Sequence, residues 1–137
     1  MPPGPSMYLL FNHSLTSDQE QDATTNHDVR TFVALPSPLQ PLLSQVPPQA
    51  ELNLQQYLQP LLQWLTGEVK PNDLLLIQGE PGVSFLLTTW AFQQGAIPLY
   101  ATTERHAIEE KLPDGSIAVR HQFRHVAFRQ YPRPPSN

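Results

Sequence analysis

The 137-residue chain contains no cysteine. That excludes a disulfide scaffold, a thiolate zinc site and a cysteine nucleophile. Glycine is scarce, at six residues, and the glycine-dependent signatures fail accordingly. Gly79-Glu80-Pro81-Gly82-Val83-Ser84 lacks the lysine and hydroxyl residue of an ATPase phosphate loop, and the third glycine of a dinucleotide fingerprint. No Gly-x-Ser-x-Gly elbow is present, which argues against a serine hydrolase of that type. No apolar run approaches the ~20 residues of a membrane-spanning helix, and no signal-peptide pattern opens the chain. A cytoplasmic protein without membrane contact is expected.

Charge is modest, with a net of −4, so a duplex nucleic-acid partner is not expected. The distribution is uneven. Six acids and one base (Arg30) lie up to Glu68, whereas Arg120, Arg124, Arg129 and Arg133 follow Asp114 with no acid among them. A basic end of this kind can hold a small polyanion, and it can equally be a solvated strand face.

Proline is the abundant residue, at sixteen. It crowds the first positions, the stretch Pro36–Pro60 and the tail. Residues 1–6 therefore read as an extended or cloning-derived start that the fold does not need, residues 7–131 as one domain, and residues 132–137 as a tail.

Within that domain, Met7–Phe11 is a continuous apolar run ending in Asn12-His13, as in a strand buried on both faces. Thr16 or Ser17 can cap a polar, peripheral helix, with Glu20 closing a capping box on Ser17. Thr31–Leu35 reads as a second strand. Pro38–Pro48 reads as a punctuated connection of a helical turn or two. Leu52–Leu65 carries an apolar stripe at helical spacing, kinked by Pro60 and ended by Gly67. Asp73–Gln78 is a third strand, Val83–Gln94 a nearly all-apolar helix, and Ile97–Ala101 a fourth strand ending in Thr102-Thr103-Glu104-Arg105. Beyond it, two alternating segments flank Pro113-Asp114-Gly115 as a hairpin, with a bulge expected at Arg124-His125. The pattern predicts an α/β fold: a small Rossmann-like, mostly parallel sheet flanked by helices, with a C-terminal β-hairpin extension.

In such a sheet ligands lie beyond the carboxyl ends of the strands. Three ends carry polar residues: Asn12-His13-Ser14, then Gln78-Gly79-Glu80-Pro81-Gly82 with Ser84, then Thr102-Thr103-Glu104-Arg105. The glycine turn opens on a helix N-terminus, a generic anion seat that Glu80 would oppose unless it has another task. Arg105 suits a phosphate through its planar fork, or it pairs on the surface with Glu109 or Glu110. Thr102 equally reads as a cap of the segment that follows. His106, Glu109 and Glu110 have helical ligand spacing, but the segment reads as a strand, so no protein-bound metal is expected.

The blocks Met7–Thr16, Asp73–Gly79, Pro98–Arg105 and Phe123–Arg129, in this order, resemble a family of small CRISPR-associated proteins of the Csx type, family twenty in that nomenclature, which accompany type III systems. The resemblance spans Met7 to Tyr131, with Glu80 a departure from an aspartate in the family. It implies a CARF-like, dimeric ring nuclease that binds cyclic oligoadenylate, cyclic tetra-adenylate above all, and cuts it without metal or cofactor. The products would be linear species ending in a 2′,3′-cyclic phosphate, and cutting would switch off the defence signal. On that basis Arg105 is the phosphate clamp, Thr102 or Thr103 the hydrogen-bond donors and His13 the proton-transfer group. Asn12, Ser14, Gln78, Gly79, Glu80, Pro81, Gly82 and Ser84 form the cradle. Arg124, His125 and Arg129 supply a positive rim or the dimer seam. A module that sequesters the ring without cutting it is the alternative.

Overall fold

The computed structural model describes residues 4–135. Its centre is a five-stranded sheet in the order β2-β1-β3-β4-β5. The strands are β1 (Ser6–Leu10), β2 (Thr31–Ala34), β3 (Leu74–Ile77), β4 (Ile97–Lys111) and β5 (Ile117–Gln130). The first four run parallel, with β1 between β2 and β3. β5 returns antiparallel along β4. This is the expected α/β arrangement: a mostly parallel sheet flanked by helices, with a C-terminal antiparallel hairpin.

Alternation along the strands divides the core into two layers. Tyr8, Leu10, Leu75 and Ile77 face α4 (Gln59–Glu68) and α5 (Pro81–Gln93), where Leu58, Leu61, Leu65, Leu87 and Ala91 are buried. Met7, Leu74, Leu76 and Leu99 face the other side, covered by α1 (Ser17–His27). That helix is polar throughout and buries only Ala23, as its composition requires. Residues 37–44, a 3₁₀ turn followed by α2 (Gln40–Ser44), pack Leu39, Leu42 and Leu43 on the first layer.

Several boundaries differ from expectation for physical reasons. The helix anticipated over Leu52–Leu65 is two helices, α3 (Leu54–Tyr57) and α4, parted at Leu58. Pro60 cannot donate to a helical carbonyl and clashes with one four residues back, so it stands in the first turn of a new helix. Gly67 stays inside α4, which ends at Glu68 before the extended Val69. Pro81 opens α5 two residues before the anticipated start, because Glu80 caps it.

β1 starts at Ser6, so the expected start at 1–6 is not separate from the domain. The Ser6 amide donates to Asp73 Oδ1 at 3.1 Å, and the Pro5 carbonyl accepts from the Arg30 amide at 3.0 Å. A buried carboxylate and a strand amide thus hold residues 5 and 6 in place; residues 1–3 lie outside the described residues. The tail is described only to Pro135. There Tyr131 donates its hydroxyl to the Ile77 carbonyl at 2.8 Å, and Arg133 lies over the Phe92 ring at 4.5 Å.

The largest departure concerns β4. It does not end at Ala101 but runs for 15 residues, only the first of which pair with β3. From Thr103 onward β4 and β5 form a two-stranded ribbon that projects beyond the carboxyl edge of the sheet. Its turn is the anticipated one: Gly115 adopts φ 89°, and Asp114 Oδ1 accepts from the Ser116 amide at 2.9 Å. The register slips between Thr102 and Thr103, opposite His125–Ala127, next to the anticipated bulge.

Candidate functional site

The carboxyl ends of β1 and β2 open into a crevice of about 590 Å³. Its position follows from topology. β1 sends its chain to α1 on one face, while β2 leads through residues 37–39 to α2 on the other, and the connections diverge between these two strand ends. Asn12, His13 and Ser14 line it and are exposed, as anticipated. Phe11 lies beside His13, with ring centroids 6.1 Å apart.

Three further polar residues in the wall, Glu20, Gln40 and Ser44, were not among the sequence candidates. The sequence pattern places Glu20 in a capping box on Ser17. The box forms one residue earlier, with Thr16 and Gln19 bonding each other's backbone amides, and this frees Glu20 for the crevice. Gln40 and Ser44 belong to α2, in the proline-rich connection that carried no recognisable block. Gln40 Nε2 donates to the Leu35 carbonyl at 3.0 Å, which ties α2 to the end of β2.

The second block lies at the end of β3 and is largely committed to holding the fold. Gln78 Oε1 accepts from the Ala101 amide at 3.0 Å and extends the β3–β4 pairing by a side chain. Gly79 adopts φ 151°, a backbone that side-chain-bearing residues avoid. Glu80 answers the question its position raised. Its carboxylate accepts from the Gly82 amide and caps α5. The anion seat at that helix N-terminus is therefore filled by the chain's own carboxylate. Pro81 and Ser84 do not join the crevice. They line a separate, mainly apolar groove of about 700 Å³ between α5 and the tail, with Phe85, Phe92 and Tyr131.

The third block lies on the ribbon, where alternation separates its members. Directly opposed residues of an antiparallel pair share a face. Thr103 is opposite His125 and Arg105 opposite Phe123, and His125 touches α1, so Thr103 and Arg105 are on the α1 side. Thr102, opposite Ala127, is on the other side, where its hydroxyl donates to the Ala127 carbonyl at 2.9 Å. Arg105 is exposed and does not pair with Glu109 or Glu110 as the surface alternative had it. Glu104 faces His106 at 3.2 Å, and Glu109 and Glu110 point to opposite faces, as strand geometry demands.

The three basic-end candidates divide as well. His125 is not part of an open rim: its side chain is 5 % exposed, and Nε2 is 2.7 Å from Asp22 Oδ2 of α1. Its ring packs on Phe128, with centroids 4.7 Å apart. Burial pushes the Asp22 carboxyl up, but hydrogen bonds from Asn26 and His125, with the charges of His125 and His27, outweigh burial and leave it below the ordinary carboxylate value. Arg124 pairs across from Glu104 on the α5 side. Arg129 lies on that side too, donating to the Tyr100 hydroxyl at 3.2 Å over the face of its ring.

What remains is a crevice bearing His13 at the ends of β1 and β2, and, beyond β3, an exposed Thr103 and Arg105 on the ribbon. Imidazole can move a proton near neutral pH, and a guanidinium can hold a phosphoryl oxygen pair. Among the described residues no helix is long and apolar enough to cross a membrane.

Comparison with known proteins agrees with this extent. The profile of the family described as "Uncharacterized protein MJ1673 family" matches residues 5–129. A protein of Methanocaldococcus jannaschii described as "Uncharacterized protein MJ1673" is 41 % identical over 127 residues, covering 93 % of this chain and 97 % of its own. No solved structure matches. The matched region takes in β1 through nearly the whole of β5, and the chain belongs to the MJ1673 family.

Proposed function

We propose that the protein is a ring nuclease with a small Rossmann-like, CARF-like core, acting on cyclic oligoadenylate and on cyclic tetra-adenylate in particular. The reading rests on the blocks that resemble the Csx-type family. One observation supports it beyond that resemblance: His13 after β1 and Thr103 with Arg105 on the continuation of β4, 90 or more residues apart in sequence, all lie beyond the carboxyl edge of one sheet.

The reaction needs no group foreign to the chain. A ribose 2′-oxygen loses its proton and bonds to the adjacent phosphorus. The bond from phosphorus to the 5′-oxygen breaks, and that oxygen takes up a proton. The products are a 2′,3′-cyclic phosphate and a 5′-hydroxyl. Arg105 holds the phosphoryl oxygens as charge builds on them, Thr103 donates a hydrogen bond, and His13 moves a proton. Positioning and charge stabilisation provide most of the rate in such a step. A crevice of about 590 Å³ takes part of a cyclic tetranucleotide and leaves the rest to a second copy.

Incubation of the full chain with cyclic tetra-adenylate, with and without a chelator, tests this reading. Linear products ending in a 2′,3′-cyclic phosphate in both arms are expected, and Arg105→Ala abolishes them. Full turnover by Arg105→Ala removes the clamp assignment. Binding without any product favours sequestration instead. The specific observation behind that second reading is that the crevice is lined by Glu20 and His13 but by no lysine or arginine.

A further inference from the structure

α5 is apolar on more than the side it buries. Val83, Leu87 and Ala91 enter the core. Phe85, Thr88, Thr89 and Phe92 recur at i, i+3, i+4 and i+7 and form a second stripe. That stripe is not closed over, for Phe85 is 67 % exposed. It is the floor of the groove of about 700 Å³, and Tyr131 with the prolines of the tail forms the wall. The wall is fixed at both ends. The Tyr131 hydroxyl donates to the Ile77 carbonyl, and Arg133 stacks on Phe92. A concavity of this size, mainly apolar with few polar groups, has the form of a small-molecule site. It shares no lining residue with the crevice.

Its charge is one-sided. Arg133 is the sole charged residue of the lining, and no acid joins it. The guanidinium lies 4.5 Å from the centre of the Phe92 ring, at one end of the stripe. Stacking engages the flat face of the guanidinium and leaves its N–H groups pointing outward in their plane. A carboxylate can therefore accept from that fork without disturbing the stack. Phe85 marks the other end of the stripe, roughly 10 Å away at ~1.5 Å per residue. Between the two ends Thr88 Oγ1 is buried without a hydrogen-bonding partner, so no protein group claims it.

We propose that this groove binds an amphiphilic monocarboxylate, its apolar body along the stripe from Phe85 to Phe92 and its acid group on Arg133. A neutral apolar ligand leaves the guanidinium without an anion. A ligand with several negative charges finds no second cation here. A cyclic oligonucleotide therefore belongs elsewhere on the molecule, and the proposal is independent of the nuclease reading.

Titration of the full chain, labelled with nitrogen-15, with octanoate and with 1-octanol tests the proposal through the backbone amide shifts. The extended chain of both probes is of about the length of the stripe. Saturable shifts confined to α5 and the tail are expected, with octanoate about fivefold tighter than octanol, the worth of one exposed ion pair. Arg133→Gln removes that preference, and Arg133→Lys keeps it. Phe85→Ala weakens both ligands roughly fivefold through the lost apolar contact. Both side chains are exposed, so amide shifts away from the groove stay unchanged in all three variants. Absence of a saturable shift in α5 and the tail overturns the proposal, as do shifts that map to the ribbon instead. Equal affinity of the wild type for the two ligands overturns it too. So does a preference that survives Arg133→Gln, or a Phe85→Ala variant that binds both as the wild type does.

Discussion

Replacing Asp22 with alanine takes away the hydrogen-bonding partner of a buried histidine. His125 has 5 % of its side chain exposed and Asp22 12 %, with 2.7 Å between Nε2 and Oδ2. His125 Nδ1 is buried and already without a partner, so Asp22→Ala leaves the whole ring unsatisfied. A buried polar group stripped of its partner costs ~1–3 kcal/mol, and more where a charge is involved. The attachment of α1 raises the stake, because that helix buries only Ala23. A loss of about 2–3 kcal/mol follows, or roughly 6–12 °C in Tm for a domain of this size. Thermal and urea unfolding followed by circular dichroism at pH 7 measures it.

The pH dependence gives a second, independent reading. The Asp22 carboxyl lies below its ordinary value in the folded protein, so the native state favours the ionised form. Its contribution is complete above the unfolded value of ~3.9 and disappears as pH falls through the lower folded value. The wild type and Asp22→Ala therefore converge in stability below about pH 4. Replacing both partners by apolar residues, Asp22→Leu with His125→Met, recovers most of the loss, since no buried polar atom is then orphaned. A difference under ~0.5 kcal/mol at pH 7, the scatter of an ordinary surface change, refutes the reasoning. So does a difference that is undiminished in acid.

Three further outcomes are expected. Asp73→Ala removes the acceptor of two backbone amides, Ser6 at 3.1 Å and Lys70 at 2.9 Å, and lowers stability by about 2–4 kcal/mol in urea titration; removal of residues 1–6 acts in the same direction through the lost Ser6 amide. Gly79→Ala forces a side chain into φ 151° and costs ~1–3 kcal/mol, with open space around the new Cβ so that strain rather than collision sets the value. His13→Ala lowers the rate of cyclic tetra-adenylate cleavage ~100-fold or more while leaving Tm unchanged, because the side chain is exposed in the crevice; an unchanged single-turnover rate removes His13 from the chemistry.

The polar ends of β1 and β3 were legible because apolar runs of four or five residues stop abruptly there, at Asn12 and at Gln78. The hairpin turn was legible because Pro113-Asp114-Gly115 satisfies one turn geometry and few others. Glu80 was legible as a problem, a carboxylate where an anion was expected, but its solution as the cap of α5 required the backbone. The roles of Glu20, Gln40 and Ser44 in the crevice were hidden. Glu20 fitted a capping box one residue out of phase, and Gln40 and Ser44 sit in a connection whose periodicity is broken by proline.

Local chemistry by itself determined which segments are strands, where the chain turns, and that α1 is a polar, peripheral helix. Those properties depend on side-chain period and backbone freedom within a few residues of one another. Only the tertiary structure decided that β4 continues past Ala101, that Arg105 and Arg124 fall on opposite faces of the ribbon, and that His125 is spent on Asp22 some hundred residues away. Each depends on register between strands, and a shift of one residue turns every side chain to the other face.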